Sequence, residues 1–180
     1  MARVFLGVGA NIHPEVNILA ALQRLQEQVM VVGVSTFYLT APIGHPEQPP
    51  FVNGVVEALT DLPPWELKYT VLRPIESALG RRRSDDAYAA RPIDLDLLLY
   101  DEVVVSSAEL ALPDPDITRR AFLAIPLCEL APDIVLPGSR QGICALAQAC
   151  PATPMEALPV LTAQLRELIS RPIGRKERQV

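Results

Sequence analysis

Asp94 and Asp96 stand two residues apart in the run Arg91-Pro92-Ile93-Asp94-Leu95-Asp96-Leu97-Leu98-Leu99-Tyr100. Alternate side chains of a strand share a face, so an extended reading turns both aspartates one way and Ile93, Leu95, Leu97 and Leu99 the other. A rise of ~3.3 Å per residue puts the two Cα atoms about 6.5 Å apart. Carboxylates that close repel each other unless a cation lies between them. Magnesium suits such a pair, because it prefers carboxylate oxygen and completes its shell with water and substrate phosphates. The plainer alternative is a solvated strand face at a sheet edge.

Arginines shift the balance towards chemistry. Arg81-Arg82-Arg83 follow Gly80, Arg91 precedes the aspartates, and Arg119-Arg120 open a later segment. Guanidinium forks match phosphate oxygens bidentately, and both signs of charge beside a metal pair are what phosphoryl transfer requires. Taken alone, the triple arginine fits a solvated loop that complements a helix C-terminus. No GxxxxGK[ST] or GxGxxG loop is present, and Gly7-x-Gly9 is only a fragment of one, so no glycine-rich cradle holds the phosphates. His13 and His45 lie in proline-containing turns, and no serine has a histidine and acid that can be placed beside it, which argues against a hydrolytic triad.

The elements that must position these groups follow from pattern and punctuation. The chain has 180 residues, 49% of them hydrophobic, which supports one folded core. Arg3 to Gly9 reads as a buried strand, and Pro14 opens a helix whose Ile18, Leu22, Leu25 and Val29 make one apolar face. Val29 to Leu39 and Phe51 to Leu59 read as strands, separated by a stiff loop with four prolines from Thr40 to Pro50. Pro63-Pro64 begins a second helix with Leu67, Val71, Ile75 and Ala78 on one face, ended by Gly80 and kinked at Pro74. Ile93 to Tyr100 is the next strand. The order β-α-β-β-α-β predicts an α/β (α+β) ferredoxin-like sandwich with both helices on one face of the sheet.

Further elements are a hairpin strand near Glu102 to Val105, a helix from Thr118 to Leu130 bent at Pro126, and a helix from Val160 to Ser170, with a mobile polar tail from Arg171 to Val180. Residues 1–140 form the expected catalytic domain and 141–180 a partly helical extension. A net charge of −5 weighs against nucleic acid or anionic lipid as partner. Apolar runs are too short to span a bilayer, and the start is too short and broken for a secretory signal, so a cytoplasmic protein is expected; a monomer is the working expectation, although no residue pattern fixes the oligomeric state. Cys128, Cys144 and Cys150 make neither a CxxC pair nor an even set, which predicts reduced thiols rather than a disulfide or a zinc site.

Several separated stretches together resemble the 6-hydroxymethyl-7,8-dihydropterin pyrophosphokinase family of folate biosynthesis. They are Gly9-Ala10-Asn11, Phe37-Tyr38-x-Thr40, Pro42-x-Gly44, Gln48-Pro49-x-Phe51-x-Asn53, Glu76, Gly80-Arg81-x-Arg83, Arg91-x-x-Asp94-Leu95-Asp96, Arg120-x-Phe122 and Pro126-Leu127-x-Glu129-x-Ala131-Pro132. The resemblance covers about the first 140 residues. It implies transfer of the β,γ-pyrophosphoryl group of ATP to a dihydropterin hydroxymethyl group, releasing AMP, with two Mg2+ ions on Asp94 and Asp96. It further implies catalytic roles for Arg81, Arg83 and Arg91, and a pterin pocket of Thr40, Ala41, Ile43, Phe51, Asn53 and Phe122. The nucleotide side would comprise Arg73, Glu76, Arg83, Tyr88, Arg91, Leu97 and Arg120, with the loop from Arg81 to Ala90 closing over the nucleotide. One departure stands out: Pro113-Asp114-Pro115 replaces the family's usual Pro-His-Tyr. An anion there is repelled by triphosphate unless it turns away or meets a cation.

Overall fold

The computed structural model describes residues 1–83, 86 and 88–171. Of the expected polar tail, residues 172–180 lie outside them, as do residues 84, 85 and 87 of the loop expected to close over nucleotide. The elements run β1 (Ala2–Ala10), α1 (Pro14–Gln26), β2 (Met30–Val34), β3 (Tyr38–Thr40) and β4 (Phe51–Thr60). One helical rod follows, made of α2 (Pro64–Glu66), a π-helical segment (Leu67–Leu72) and α3 (Arg73–Ala78). Then come β5 (Asp94–Tyr100), the hairpin β6 (Val105–Ser106) and β7 (Ala111–Leu112), a 3-10 turn (Pro115–Thr118), α4 (Ala121–Leu130), α5 (Ile143–Ala149), β8 (Met155–Ala157) and α6 (Pro159–Ser170).

The main sheet has the order β5-β1-β4-β3-β8, with β2 also paired to β4. β1 lies antiparallel to both β4 and β5, with Gly9 opposite Asn53 and Asp94. This is the arrangement that the βαββαβ order predicts. Val4, Leu6, Val8, Val56, Leu95 and Leu97 face α1, the α2–α3 rod and α6 across the larger core. Phe5, Val55, Leu98 and Leu99 face α4 and α5 across a second, smaller one.

Four local features depart from the sequence expectation. The strand expected over 29–39 is broken: Ser35 exchanges hydrogen bonds with Val55, and Phe37 drops into the core, its ring filling the place where a Cβ on Gly54 would sit. Leu99 does not share the face of Leu95 and Leu97, because a bulge opposite Phe5 and Leu6 lets one extra residue of β5 flip the alternation. Where the sequence predicts an α-helix kinked at Pro74, the rod passes through the π-helical segment Leu67–Leu72. The Arg73 N–H reaches back five residues to the Lys68 carbonyl, and the wider π turn absorbs the bond that Pro74 cannot make.

The fourth departure is covalent. Cys128 of α4 and Cys144 of α5 form a disulfide, with Cα atoms 4.9 Å apart, and Cys150 is the free thiol. Reduced thiols were the expectation from cysteine count and spacing, but the pairing arises from α4 packing on α5, which neither reveals. The segment beyond residue 140 is joined to the sheet: β8 pairs with β3, and Leu161 and Leu165 of α6 are core residues. Among the described residues no helix is long and apolar enough to cross a membrane.

Candidate active site

The helices α4 and α5 cover only part of their face of the sheet. On the rest, Gly7 and Gly9 of β1 lie between Asn53 of β4 and Asp94 and Asp96 of β5, and line a cavity of about 210 Å³ with them. Thr40, Ala41, Ile43, Phe51, Asn53 and Phe122, the residues expected around a pterin, all line it, and so do Tyr88, Arg91, Asp114, Asp116 and Arg120. Glycine at position 9 is a matter of space, since a Cβ there would lie 2.6 Å from Asn53 Oδ1. Asn53 Nδ2 donates to Thr40 Oγ1 at 2.8 Å, which orients the amide. The end of β1 at Asn11 is held to Arg91 by paired bonds: the Arg91 N–H donates to Asn11 Oδ1 (2.8 Å) and the Asn11 N–H to the Arg91 carbonyl (3.1 Å). Arg91 also lies over the Phe51 ring, 5.7 Å from its centroid.

Glu76 is the hub of the charged groups. It is 2% exposed, and its Oε1 accepts the Leu95 N–H at 2.9 Å. Arg73 (3.4 Å), Arg83 (2.8 Å) and Arg81 converge on its two oxygens. Burial pushes its carboxyl up to about 7, against the pull of the Leu95 N–H, Arg81 and Arg73. Arg81 reaches this hub because Gly80 takes a φ of +87° and ends α3 in a Schellman motif, with Arg81 N–H bonded to the Glu76 carbonyl and Gly80 N–H to that of Ser77, each at 3.0 Å. The same guanidinium pairs with Asp94 Oδ1, and Arg91 pairs with Asp94 Oδ2.

Asp96 is the exposed member of the pair and opens into the cavity. Crowding by protein, then the charges of Asp94, Asp114 and Glu76, hold its carboxyl well above the usual carboxylate range. That excess of negative charge is what a divalent cation relieves. Among the described residues no three His, Cys, Asp or Glu side chains form a metal cage. The two carboxylates, Asp94 and Asp96, are by their own chemistry a donor set that magnesium accepts, since it commonly takes one or two carboxylates and leaves its other positions to water and phosphate.

A second cavity, of about 460 Å³, is lined by Tyr69, Arg73, Glu76, Ser77, Arg81 and Arg83, and the Arg81–Asp94 ion pair links its wall to that of the first. The expected nucleotide residues thus divide: Arg73, Glu76 and Arg83 lie here, and Tyr88, Arg91 and Arg120 line the first cavity. Leu97 lines neither; it is 5% exposed, within the larger core. Asp114 caps the 3-10 turn, its Oδ1 accepting the Asp116 N–H at 2.8 Å, so part of its charge is spent on the backbone. A larger depression of about 840 Å³, lined by Arg3, Phe5, Asp101, Ser139 and others, contains none of the expected site residues. Sequence reasoning missed Tyr69 and Ser77, although their four-residue spacing about Arg73 puts all three on one helix ridge. It also missed Asp116, whose signal is its two-residue offset from Asp114.

Residues 5–132 match the family model for 7,8-dihydro-6-hydroxymethylpterin-pyrophosphokinase. The chain belongs to that family. It is 38% identical over 160 residues to a 2-amino-4-hydroxy-6-hydroxymethyldihydropteridine pyrophosphokinase of Pseudomonas aeruginosa, covering 87% of this chain and 97% of the relative. The Methylorubrum extorquens pyrophosphokinase is 40% identical over 141 residues, covering 77% of this chain and 88% of its own. Among solved structures, a Plasmodium falciparum HPPK-DHPS triple mutant with pteroate superposes with a TM-score of 0.65 at 12% identity, over 82% of this chain. The chain spans 43% of that protein's length, and the likeness is one of fold. The family match covers β1 through α4, the elements that carry both cavities.

Proposed function

We propose that the chain transfers the β,γ-pyrophosphoryl group of ATP to the hydroxymethyl oxygen of 6-hydroxymethyl-7,8-dihydropterin and releases AMP, a step of folate biosynthesis. The observation that carries this reading is the convergence of all six pterin-side residues on one cavity whose wall contains Asp94 and Asp96, with an arginine-lined cavity linked to it by the Arg81–Asp94 pair. Phe51 and Phe122 hold the pterin ring, and the Asn53 amide, set by Thr40, hydrogen-bonds its edge. The hydroxymethyl group then points towards Asp96. Its oxygen gains a bond to the β-phosphorus as the bond from that phosphorus to the bridging oxygen of the α-phosphate breaks; AMP keeps the electron pair, and the hydroxyl proton leaves to water beside Asp96.

Asp94 and Asp96 would hold the Mg2+ ions, two in number on this reading. Bound there, magnesium supplies Lewis-acid polarisation of the phosphates. Arg81 and Arg91, which pair with Asp94, would also be within reach of phosphate oxygens, and Arg83 and Arg120 would add charge along the polyphosphate. Asp114, committed to the 3-10 turn, is compatible with nucleotide entry. The proposed setting is the cytoplasm and the proposed working unit a monomer. Incubation with MgATP and the hydroxymethyl-dihydropterin should yield AMP in step with consumption of the pterin. Folded protein that forms no AMP would overturn the proposal.

A further inference from the structure

Glu129, in the last turn of α4, bridges that helix to β3 and to the break before it. Its Oε2 accepts the Thr36 N–H at 2.8 Å, and the Tyr38 hydroxyl donates to its Oε1. Burial, then the bond to Glu129, pushes the Tyr38 hydroxyl up to about 12, so it remains a donor. Thr36 lies between β2 and β3, where the chain has left one stretch of ladder and not yet joined the next, and the carboxylate serves its N–H there.

Two periodicities connect this contact to the pterin cavity. In the β3–β4 ladder Tyr38 is opposite Asn53 and Thr40 is opposite Phe51, so these four side chains share one face of the sheet. On α4, Phe122 and Glu129 are seven residues apart, which puts them on one side of the helix, about 10 Å from each other along its axis. Phe122 lines the cavity with Thr40, Phe51 and Asn53, while Glu129 holds Tyr38. α4 and β3 therefore face each other twice, across hydrogen bonds at Glu129 and across the pterin cavity at Phe122. A flat ring between two walls is sensitive to their spacing, because a gap of ~0.5–1 Å already forfeits a quarter to a half of a dispersion contact.

We propose that Glu129 is a positioning residue for the pterin: by tying β3 to α4 through Tyr38 and Thr36, it sets the distance between Phe122 and the wall of Thr40, Phe51 and Asn53. This rests on the pterin reading above and adds to it the group that fixes the width of the pocket.

Glu129→Ala removes both bonds. Calorimetry with the pterin, in the presence of a non-hydrolysable MgATP analogue, should show binding about tenfold weaker, and the KM for pterin should rise by a similar factor. MgATP affinity should stay within twofold, since Arg73, Arg81 and Arg83 lie on neither α4 nor β3. Glu129→Gln should bind pterin as the native chain does, because an amide whose oxygen accepts the Thr36 N–H can donate from Nε2 to the Tyr38 hydroxyl oxygen. Tyr38→Phe keeps the ring, loses one bond and should weaken pterin about threefold; it stands in if Glu129→Ala is poorly folded by circular dichroism. Native-like pterin affinity in folded Glu129→Ala, or in Tyr38→Phe where that stands in, overturns the positioning proposal and leaves the pyrophosphokinase reading intact. Equal losses for pterin and MgATP, or a loss in Glu129→Gln as large as in Glu129→Ala, overturn it too. Failure of the native chain to bind the pterin overturns both.

Discussion

Replacing Gly9 by alanine tests the pterin cavity through one contact. The added Cβ would lie 2.6 Å from Asn53 Oδ1 and 4.0 Å from the Asp94 Cβ. The first distance is too short and the second is ordinary van der Waals contact, so the strain falls on the Asn53 amide. Gly9 sits in a regular antiparallel ladder, where alanine adopts the backbone readily. The far end of a side chain moves more cheaply than a strand, and Asn53 swings away from Thr40, losing the 2.8 Å bond that orients it. If the amide makes two hydrogen bonds to the pterin edge, their loss at ~0.5–1.5 kcal/mol each is about 1–3 kcal/mol, or about 5–150-fold in affinity. Calorimetry with the pterin, in the presence of a non-hydrolysable MgATP analogue, measures this directly. MgATP affinity should be unchanged, because the cavity with Arg73 and Arg83 is untouched. Asn53→Ala should cost a similar amount, and the double variant little more than either, since both remove the same interaction. Pterin binding by Gly9→Ala within twofold of the native protein, or full additivity with Asn53→Ala, would contradict the assignment of Asn53.

Asp96→Ala should reduce turnover by orders of magnitude while leaving the thermal midpoint equal or higher, because it removes an exposed carboxylate crowded by Asp94 and Asp114; steady-state AMP release and a melting curve check the two halves. Glu76→Ala strips the Leu95 N–H and three arginines of their shared acceptor, and should cost about 3–5 kcal/mol in urea unfolding, whereas Glu76→Gln, which can still accept from Leu95, should cost less. Thiol titration of the unfolded, unreduced chain should count one thiol, Cys150, and three after reduction. Reduction should lower stability by about 2–4 kcal/mol, given a bridge that spans 16 residues.

The βαββαβ order was legible because prolines mark the starts of α1, β4, the helical rod and β5, and each core helix carries a regular apolar stripe. The shared face of Asp94 and Asp96 was legible for the same reason: strand periodicity holds locally as far as Leu97. It fails at Leu99 because the bulge is a property of the pairing with β1, not of β5 alone. The break at Ser35–Phe37 likewise depends on Gly54, a residue of the neighbouring strand. β8 has the sequence Met155-Glu156-Ala157, too short and too mixed to read as a strand, and is recruited by the exposed edge of β3. Glu76 carried no local sign of its role, since a helix carboxylate becomes a hub only when Gly80 folds Arg81 back over it. Asp94, Asp96 and the arginines announced the chemistry; the close approach of Gly9 to Asn53 needed three dimensions.

β5 is the outermost strand on its side of the sheet, and the groups that serve the site are also those that occupy its open flank. Arg81 Nη1 donates to the Ile93 carbonyl at 3.4 Å, Glu76 accepts from Leu95 at 2.9 Å, and the Asp114 N–H donates to the Leu98 carbonyl at 2.9 Å. A flank so filled has little left to offer a strand of another molecule. Variants that empty it should therefore tend to self-associate as well as to lose turnover. Selection for solubility and selection for catalysis would then act on the same few side chains, and drift at Glu76 or Arg81 would be checked twice.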